Sequence, residues 1–278
     1  MTFAGSLQRF VSLMRPVEPK KLSKPIRRPR DWRPSLWRIE LEITTDCNLR
    51  CRNCDRSSRQ APSRECMSPQ QVELFCRQSE SLEWDWLTIV LLGGEPTQHP
   101  HLEEILKIMQ DYHSRHARCE VVLATNGYGP AVEQALTRLP EWLTVRNSGK
   151  TTPVQSFSTY NVAPMDLPLY AEGNFGRGCW VTEQMGMGLT RYGYYACGAA
   201  ASVDRVFGFD MGIKHLADVT MPALKQQMAT LCGLCGHFKR NDNQSRTKEE
   251  VFSPSWQQAY SRYKIARPEL MLYRDVNS

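Results

Sequence analysis

Apolar and polar positions change rhythm along this chain, and each change predicts an element. Residues 5–14 place Leu7, Phe10, Val11 and Met14 at helical spacing. Residues 38–43 read Arg-Ile-Glu-Leu-Glu-Ile, an alternation that predicts a strand. Ser68-Pro69 then supplies an N-cap and a proline at the first helical position, which predicts a helix to residue 81. Residues 87–92 are a near-continuous apolar run, the pattern of a strand covered on both faces. A helix over 101–115, a strand over 121–124, a helix over 131–139 and a strand over 143–146 follow. Strands alternating with helices predict βα units and a parallel sheet.

In such folds ligand chemistry gathers at the carboxyl ends of the strands. The first predicted strand runs into Cys47, Cys51 and Cys54, spaced Cys-x3-Cys-x2-Cys. The second ends in Gly93-Gly94-Glu95-Pro96 and the third in Thr125-Asn126-Gly127. Three thiolates on one loop can converge on a metal centre, and a four-iron cubane held by three keeps one iron free of protein. Glycines permit close backbone approach, and Glu95 offers a carboxylate to an ammonium group.

At these residues the chain resembles the radical S-adenosylmethionine (SAM) enzymes. The resemblance implies that Cys47, Cys51 and Cys54 hold a 4Fe-4S cluster. It implies that Gly93, Gly94, Glu95 and Pro96 receive the amino group of SAM. Thr125 and Asn126, with Asn147 or Ser148, then serve its ribose and carboxylate. One departure stands out. The residue before the third cysteine is usually aromatic in the family and helps hold adenine; here it is Asn53, which puts that contact in doubt.

Cys179, Cys197, Cys232 and Cys235 form a second set. A hairpin with a glycine turn is expected over 189–196, and Cys232-Gly-Leu-Cys235 is a tight knuckle. Four thiolates can close a site as zinc or as an iron–sulfur cluster. The set is similar to the twitch extension, the half-length SPASM domain, with one auxiliary 4Fe-4S cluster, as in the 2-deoxy-scyllo-inosamine dehydrogenases. The expected fold is therefore α/β: a partial (β/α) TIM-type barrel of the radical SAM kind, with a small C-terminal hairpin-plus-helix auxiliary-cluster domain. The core looks short for six strands, so its last βα units are expected to be trimmed. Expected boundaries are a basic, proline-rich arm over 1–36, the core over 37–178, the auxiliary domain over 179–240 and a tail over 241–278.

Composition narrows the partners. The 278 residues are 41% hydrophobic and 23% charged, with ten cysteines and a net charge of +6. No apolar run reaches the ~20 residues that cross a bilayer. The N-terminus lacks the pattern of a secretory signal. Clustered cysteines in such a chain point to cytoplasmic metal ligation and not to a disulfide scaffold. Eight basic residues between Lys20 and Arg38 are interleaved with prolines, and read as an extended strap anchored by Trp32 and Trp37. Cys76 and Cys119 read as buried structural thiols, and Cys66 as structural or a hydrogen donor. One of Tyr192, Tyr194 and Tyr195 is a candidate to face substrate.

A fully ligated auxiliary cluster suits electron acceptance, hence a net two-electron oxidation. A small polar metabolite, of the sugar or aminocyclitol kind, is the expected substrate. The alternative is a peptide- or protein-modifying maturase; a nucleic-acid-binding metal module is the least expected, because Glu95 has no place in it. Oxidation needs a base. Lys150 and Asp210 are the main candidates, with Asp166, Glu172 and Arg177 beside them. An external one-electron reductant of the flavodoxin or ferredoxin type completes the expectation.

Overall fold

β1 (Arg38–Thr44), β2 (Thr88–Gly93), β3 (Glu120–Thr125) and β4 (Thr144–Asn147) lie side by side, all parallel. α1 (Pro69–Ser81), α2 (Leu102–Arg115) and α3 (Pro130–Leu136) connect them, as the patterns predict. β5 (Met187–Thr190) joins the other side of β1 in parallel, and β6 (Gly193–Tyr195) returns antiparallel against it. The order is β4-β3-β2-β1-β5-β6. The structure, a computed structural model, describes residues 30–238 and 249–275. The helix expected over 5–14 and most of the basic arm lie outside the described residues. From Asp31 onward the described residues form one compact unit.

Local chemistry explains the helix starts. Ser68 and Gln71 form a reciprocal capping box: the Gln71 amide donates to Ser68 Oγ at 3.2 Å, and the Ser68 amide to Gln71 Oε1 at 3.0 Å. Ile39, Leu41 and Ile43 of β1 share one buried core with Val72 and Phe75 of α1 and Ile105 and Met109 of α2. Burying each such side chain contributes about 1.5–3 kcal/mol.

The other face of β1 is not solvated, as a simple alternation would have it. Glu40 and Glu42 are both buried. Glu40 stands in register with Gly188 of β5, and a Cβ on Gly188 would lie 2.7 Å from the Gly198 backbone. Gly198 opens α5 (Gly198–Phe207), so this helix lies on the carboxylate face of the sheet. β5, with α5 behind it, thus extends the sheet on the side away from β4, the exposed edge strand.

α4 (Trp180–Gln184) and α6 (Met221–Leu231) carry the other parts of the second cysteine set. The segment read as a tail holds a further helix, α7 (Pro254–Ile265), buried on one side. Its start, Ser253-Pro254, repeats the Ser68-Pro69 signal, and Trp256, Tyr260 and Tyr263 line its buried face. At the start of the described chain, Trp37 is 48% exposed, and its carbonyl accepts from the Leu87 amide at 2.8 Å.

Candidate functional site

The carboxyl ends of β1, β2 and β3 meet through main-chain bonds. The Gly94 amide donates to the Thr44 carbonyl at 2.8 Å, and the Glu95 amide to the Asp46 carbonyl at 2.7 Å. A Cβ on Gly93 would lie 2.0 Å from the Thr44 oxygen, and one on Gly94 would lie 2.1 Å from the Asp46 oxygen and 2.8 Å from Cys47 Cβ. The two glycines are required because the cysteine loop lies against them.

Glu95 is fully buried. Its Oε1 accepts from the Thr97 amide at 3.2 Å, the Thr97 hydroxyl at 2.8 Å and the Thr125 hydroxyl at 2.8 Å. Its Oε2 accepts from the Asn126 amide at 2.8 Å. Pro96 opens the short 3-10 turn that supplies Thr97. The Asn126 side chain donates to Asn48 Oδ1 at 2.9 Å and approaches Cys47 Sγ at 3.9 Å. Thr125 and Asn126 therefore fix Glu95 and the cysteine loop. Ser148 bonds the Thr125 carbonyl through both its amide and its hydroxyl, each at 3.0 Å. The Lys150 amide donates to the Asn126 carbonyl at 2.9 Å, and its Nζ lies 5.7 Å from the Phe157 ring centre.

Asn53 has a left-handed backbone, φ +53°, and is completely buried. Its side chain donates to the Phe157 carbonyl at 3.2 Å. Asparagine tolerates this conformation far better than a bulky residue does, which accounts for its place before Cys54.

Burial pushes the Cys47 thiol up to about 12 and the Cys54 thiol up to about 11; a bound metal would favour the thiolate form. The Leu49 amide already points at Cys47 Sγ, at 3.4 Å. The second set is more enclosed. Cys179, Cys197, Cys232 and Cys235 are all buried. Burial pushes Cys235 well up, and the three other thiols of the set push it further, as they lie close by. Cys197 caps α5, accepting from the Ala200 amide at 3.4 Å, and Cys179 and Cys232 flank α4 and α6. Among the described residues, no three Cys, His, Asp or Glu side chains close on one point as the ligands of a single ion do. Sulfur-only donors with amide hydrogen bonds onto them fit an iron–sulfur cluster at each place.

Sequence reasoning missed the ionic bridge between the two sets. Arg56, two residues after Cys54, donates to Glu40 Oε2 at 2.6 Å and lies 3.7 Å from Glu42 Oε2. A Cβ on Gly198, beside Cys197, would lie 2.0 Å from its guanidinium. Burial pushes the Glu42 carboxyl up against the opposing pull of Arg56 and Arg205. Asp55 lies 3.7 Å from His237, which follows Cys235 closely. The acidic alternation of β1 was the available signal, but nothing local tells that its polar face is buried.

Other candidates have different partners. Asp210 pairs with Lys214 Nζ at 3.1 Å and accepts from the Met271 amide at 3.2 Å. Asp166 accepts from the Ser255 hydroxyl at 2.5 Å and the Ser255 amide at 2.9 Å, at the start of α7. Arg177 pairs with Asp31 at 3.2 Å, and Glu172 is exposed. Tyr192 donates to Glu65 at 2.6 Å and Tyr195 to Asp204 at 2.7 Å, while the Tyr194 and Tyr273 hydroxyls are 3.1 Å apart; all three hairpin tyrosines are buried. Cys76 and Cys119 are buried, and Cys66 Sγ donates to Thr44 Oγ1 at 3.4 Å. Among the described residues no helix is long and apolar enough to cross a membrane.

Residues 41–144 match the family model of the radical SAM superfamily. A curated protein of Methanococcus vannielii, described as a probable GTP 3',8-cyclase, is 32% identical over 89 residues. The match takes in 32% of this chain and 28% of that protein's length. Among solved structures, BtrN in complex with AdoMet and 2-DOIA is similar over 79% of this chain and 98% of its own, with 15% identity and a TM-score of 0.44. Streptococcus suis SuiB bound to the precursor peptide SuiA is similar over 41% of this chain and 24% of its own, with 19% identity and a TM-score of 0.31.

Proposed function

We propose that this chain, whose residues 41–144 match the radical SAM superfamily model, is a radical SAM enzyme that carries out a net two-electron oxidation of a small polar metabolite. A 4Fe-4S cluster with SAM supplies, when bound, a 5′-deoxyadenosyl radical that takes hydrogen from unactivated carbon. Cys47, Cys51 and Cys54 hold that cluster. Glu95 is the fixed acceptor for the amino group of SAM, held by Thr97, Thr125 and Asn126. Gly93 and Gly94 bring Glu95 against the cysteine loop, and Ser148 braces the end of β3.

The observation that carries the oxidative reading is the second thiol set. Cys179, Cys197, Cys232 and Cys235 are four buried neighbours, enough to ligate every iron of a second 4Fe-4S cluster. Such a centre leaves no coordination place for substrate and suits acceptance of an electron. Lys150 is the proposed base for the proton that leaves with oxidation. Its main chain is bonded to Asn126 at the end of β3, beside the cysteine loop, whereas the bonds of Asp210 lie with Lys214 and Met271. A flavodoxin or ferredoxin in the cytoplasm is the proposed reductant.

One observation favours a peptide substrate instead. All four residues of β4 are exposed, and the strand has one neighbour in the sheet. An open edge of this kind can accept an extended peptide as an added strand. The test is made on protein purified without oxygen. About eight irons per chain, formation of 5′-deoxyadenosine on reduction with SAM, and a metabolite product lighter by two hydrogens support the main reading. Product formation on peptides alone supports the second. Bound zinc without SAM cleavage would end both.

A further inference from the structure

The buried face of α7 is a stripe of Trp256, Tyr260 and Tyr263, spaced for one side of a helix. Their polar atoms reach two different cysteine loops. The Tyr260 hydroxyl lies 2.9 Å from Ser57 Oγ, three residues beyond Cys54, and donates to Asn161 Oδ1 at 3.2 Å. Trp256 Nε1 donates at 2.7 Å to the carbonyl of Leu234, inside the Cys232–Cys235 knuckle. The two rings are 5.1 Å apart. On the same helix the Tyr263 hydroxyl accepts from Arg205 at 2.8 Å, and Arg205 donates to the Arg56 carbonyl at 2.9 Å.

The first loop needs this support. Asn53 and Ser57 have left-handed backbones, φ +53° and +49°. Non-glycine residues keep such conformations where their surroundings hold them there. Ser57 is held by Tyr260. Asn53 is held by Glu250, just before α7, which accepts from the Asn53 amide at 3.3 Å and from Arg59 at 2.9 Å, and also bonds Gln60.

We propose that α7 registers the two cysteine sets against each other, so that metal binding at one stabilises the other, with Trp256 and Tyr260 as positioning residues. The inference rests on the reading that both sets hold a cluster. Coupling of this kind is reciprocal. Ordering the knuckle fixes Trp256, Trp256 fixes the helix, and Tyr260 then holds the strained loop.

Hydrogen–deuterium exchange on the full chain, with and without iron and sulfide, tests it. In the wild type, loading slows exchange over 53–60, over 232–236 and along α7 together. Cys235→Ser, which disables the second site, speeds exchange over 53–60 by about fivefold or more at equal occupancy of the first site. Amides of β2 and β3 are the control and stay unchanged. Trp256→Phe keeps the ring and removes the bond to Leu234, so exchange over 53–60 no longer responds to the second site. Tyr260→Phe gives the same result from the other end. If Trp256→Phe fails to fold, Cys235→Ser on the intact helix still decides. About eight irons in the wild type, with 53–60 indifferent to Cys235→Ser, overturns the inference and leaves the two-cluster reading standing. About four irons removes that reading and the inference with it.

Discussion

Asn126 donates its main-chain N–H to Glu95 Oε2 at 2.8 Å, across the gap between the ends of β3 and β2. The same residue reaches through its side chain to Asn48, in the cysteine loop after β1. Three strand ends are tied at one carboxylate. The residues read as ligand contacts thus serve first to hold one another.

Glu95→Ala strips a buried acceptor from the donors of Thr97, Thr125 and Asn126. The hydroxyls can turn to other acceptors but the Thr97 and Asn126 amides cannot; an unfilled buried donor costs about 1–3 kcal/mol, so these two should lower stability without SAM by about 2–6 kcal/mol. SAM affinity should fall as well. Urea melts of the metal-free protein, paired with equilibrium SAM binding, check both parts. A variant that melts like the wild type would contradict the buried hub.

Gly94→Ala places a Cβ 2.1 Å from the Asp46 carbonyl oxygen. Backbone cannot yield as a flexible side chain does, so the cysteine loop must shift. Iron should fall from about eight to about four per chain, with the second site still loaded. Iron and sulfide counts with electron paramagnetic resonance of the reduced protein measure this. Full iron content would show that the loop tolerates the methyl group.

Cys51→Ala and Cys235→Ala should part the two halves of the reaction. The first abolishes 5′-deoxyadenosine formation. The second keeps SAM cleavage and loses the oxidised product, because the electron acceptor is gone. Loss of SAM cleavage in Cys235→Ala at full occupancy of the first site would argue against separate roles.

Asp166 gives a pH dependence of known sign. Burial alone would raise its carboxyl, but hydrogen bonds from Ser253 and Ser255 outweigh this and hold it below the ordinary 3.8. The folded chain therefore binds fewer protons here than the unfolded chain does. The stabilisation is complete above 3.8 and is lost as pH falls through the lower, folded value. Asp166→Asn should lower stability at neutral pH and flatten its decline in acid. Chemical denaturation of both proteins between neutral pH and acid reads this directly, and parallel curves would refute it.

Sequence alone determined the order of strands and helices from β1 to β4. It also placed the cysteine loop, the Gly93–Pro96 turn and Thr125–Asn126 at neighbouring strand ends. Those are local facts: side-chain periodicity sets the element, and the parallel βα rule sets where the ends fall. Only the tertiary structure decided what each group touches. It buried Glu40 and Glu42 under α5, turned Gly93 and Gly94 toward the loop of β1, and gave Asp166 to the start of α7. It also brought Trp256 and Tyr260 onto two loops far apart in sequence. Contacts between different elements leave no period in the chain, because they arise from packing of finished elements and not from the pattern that forms them.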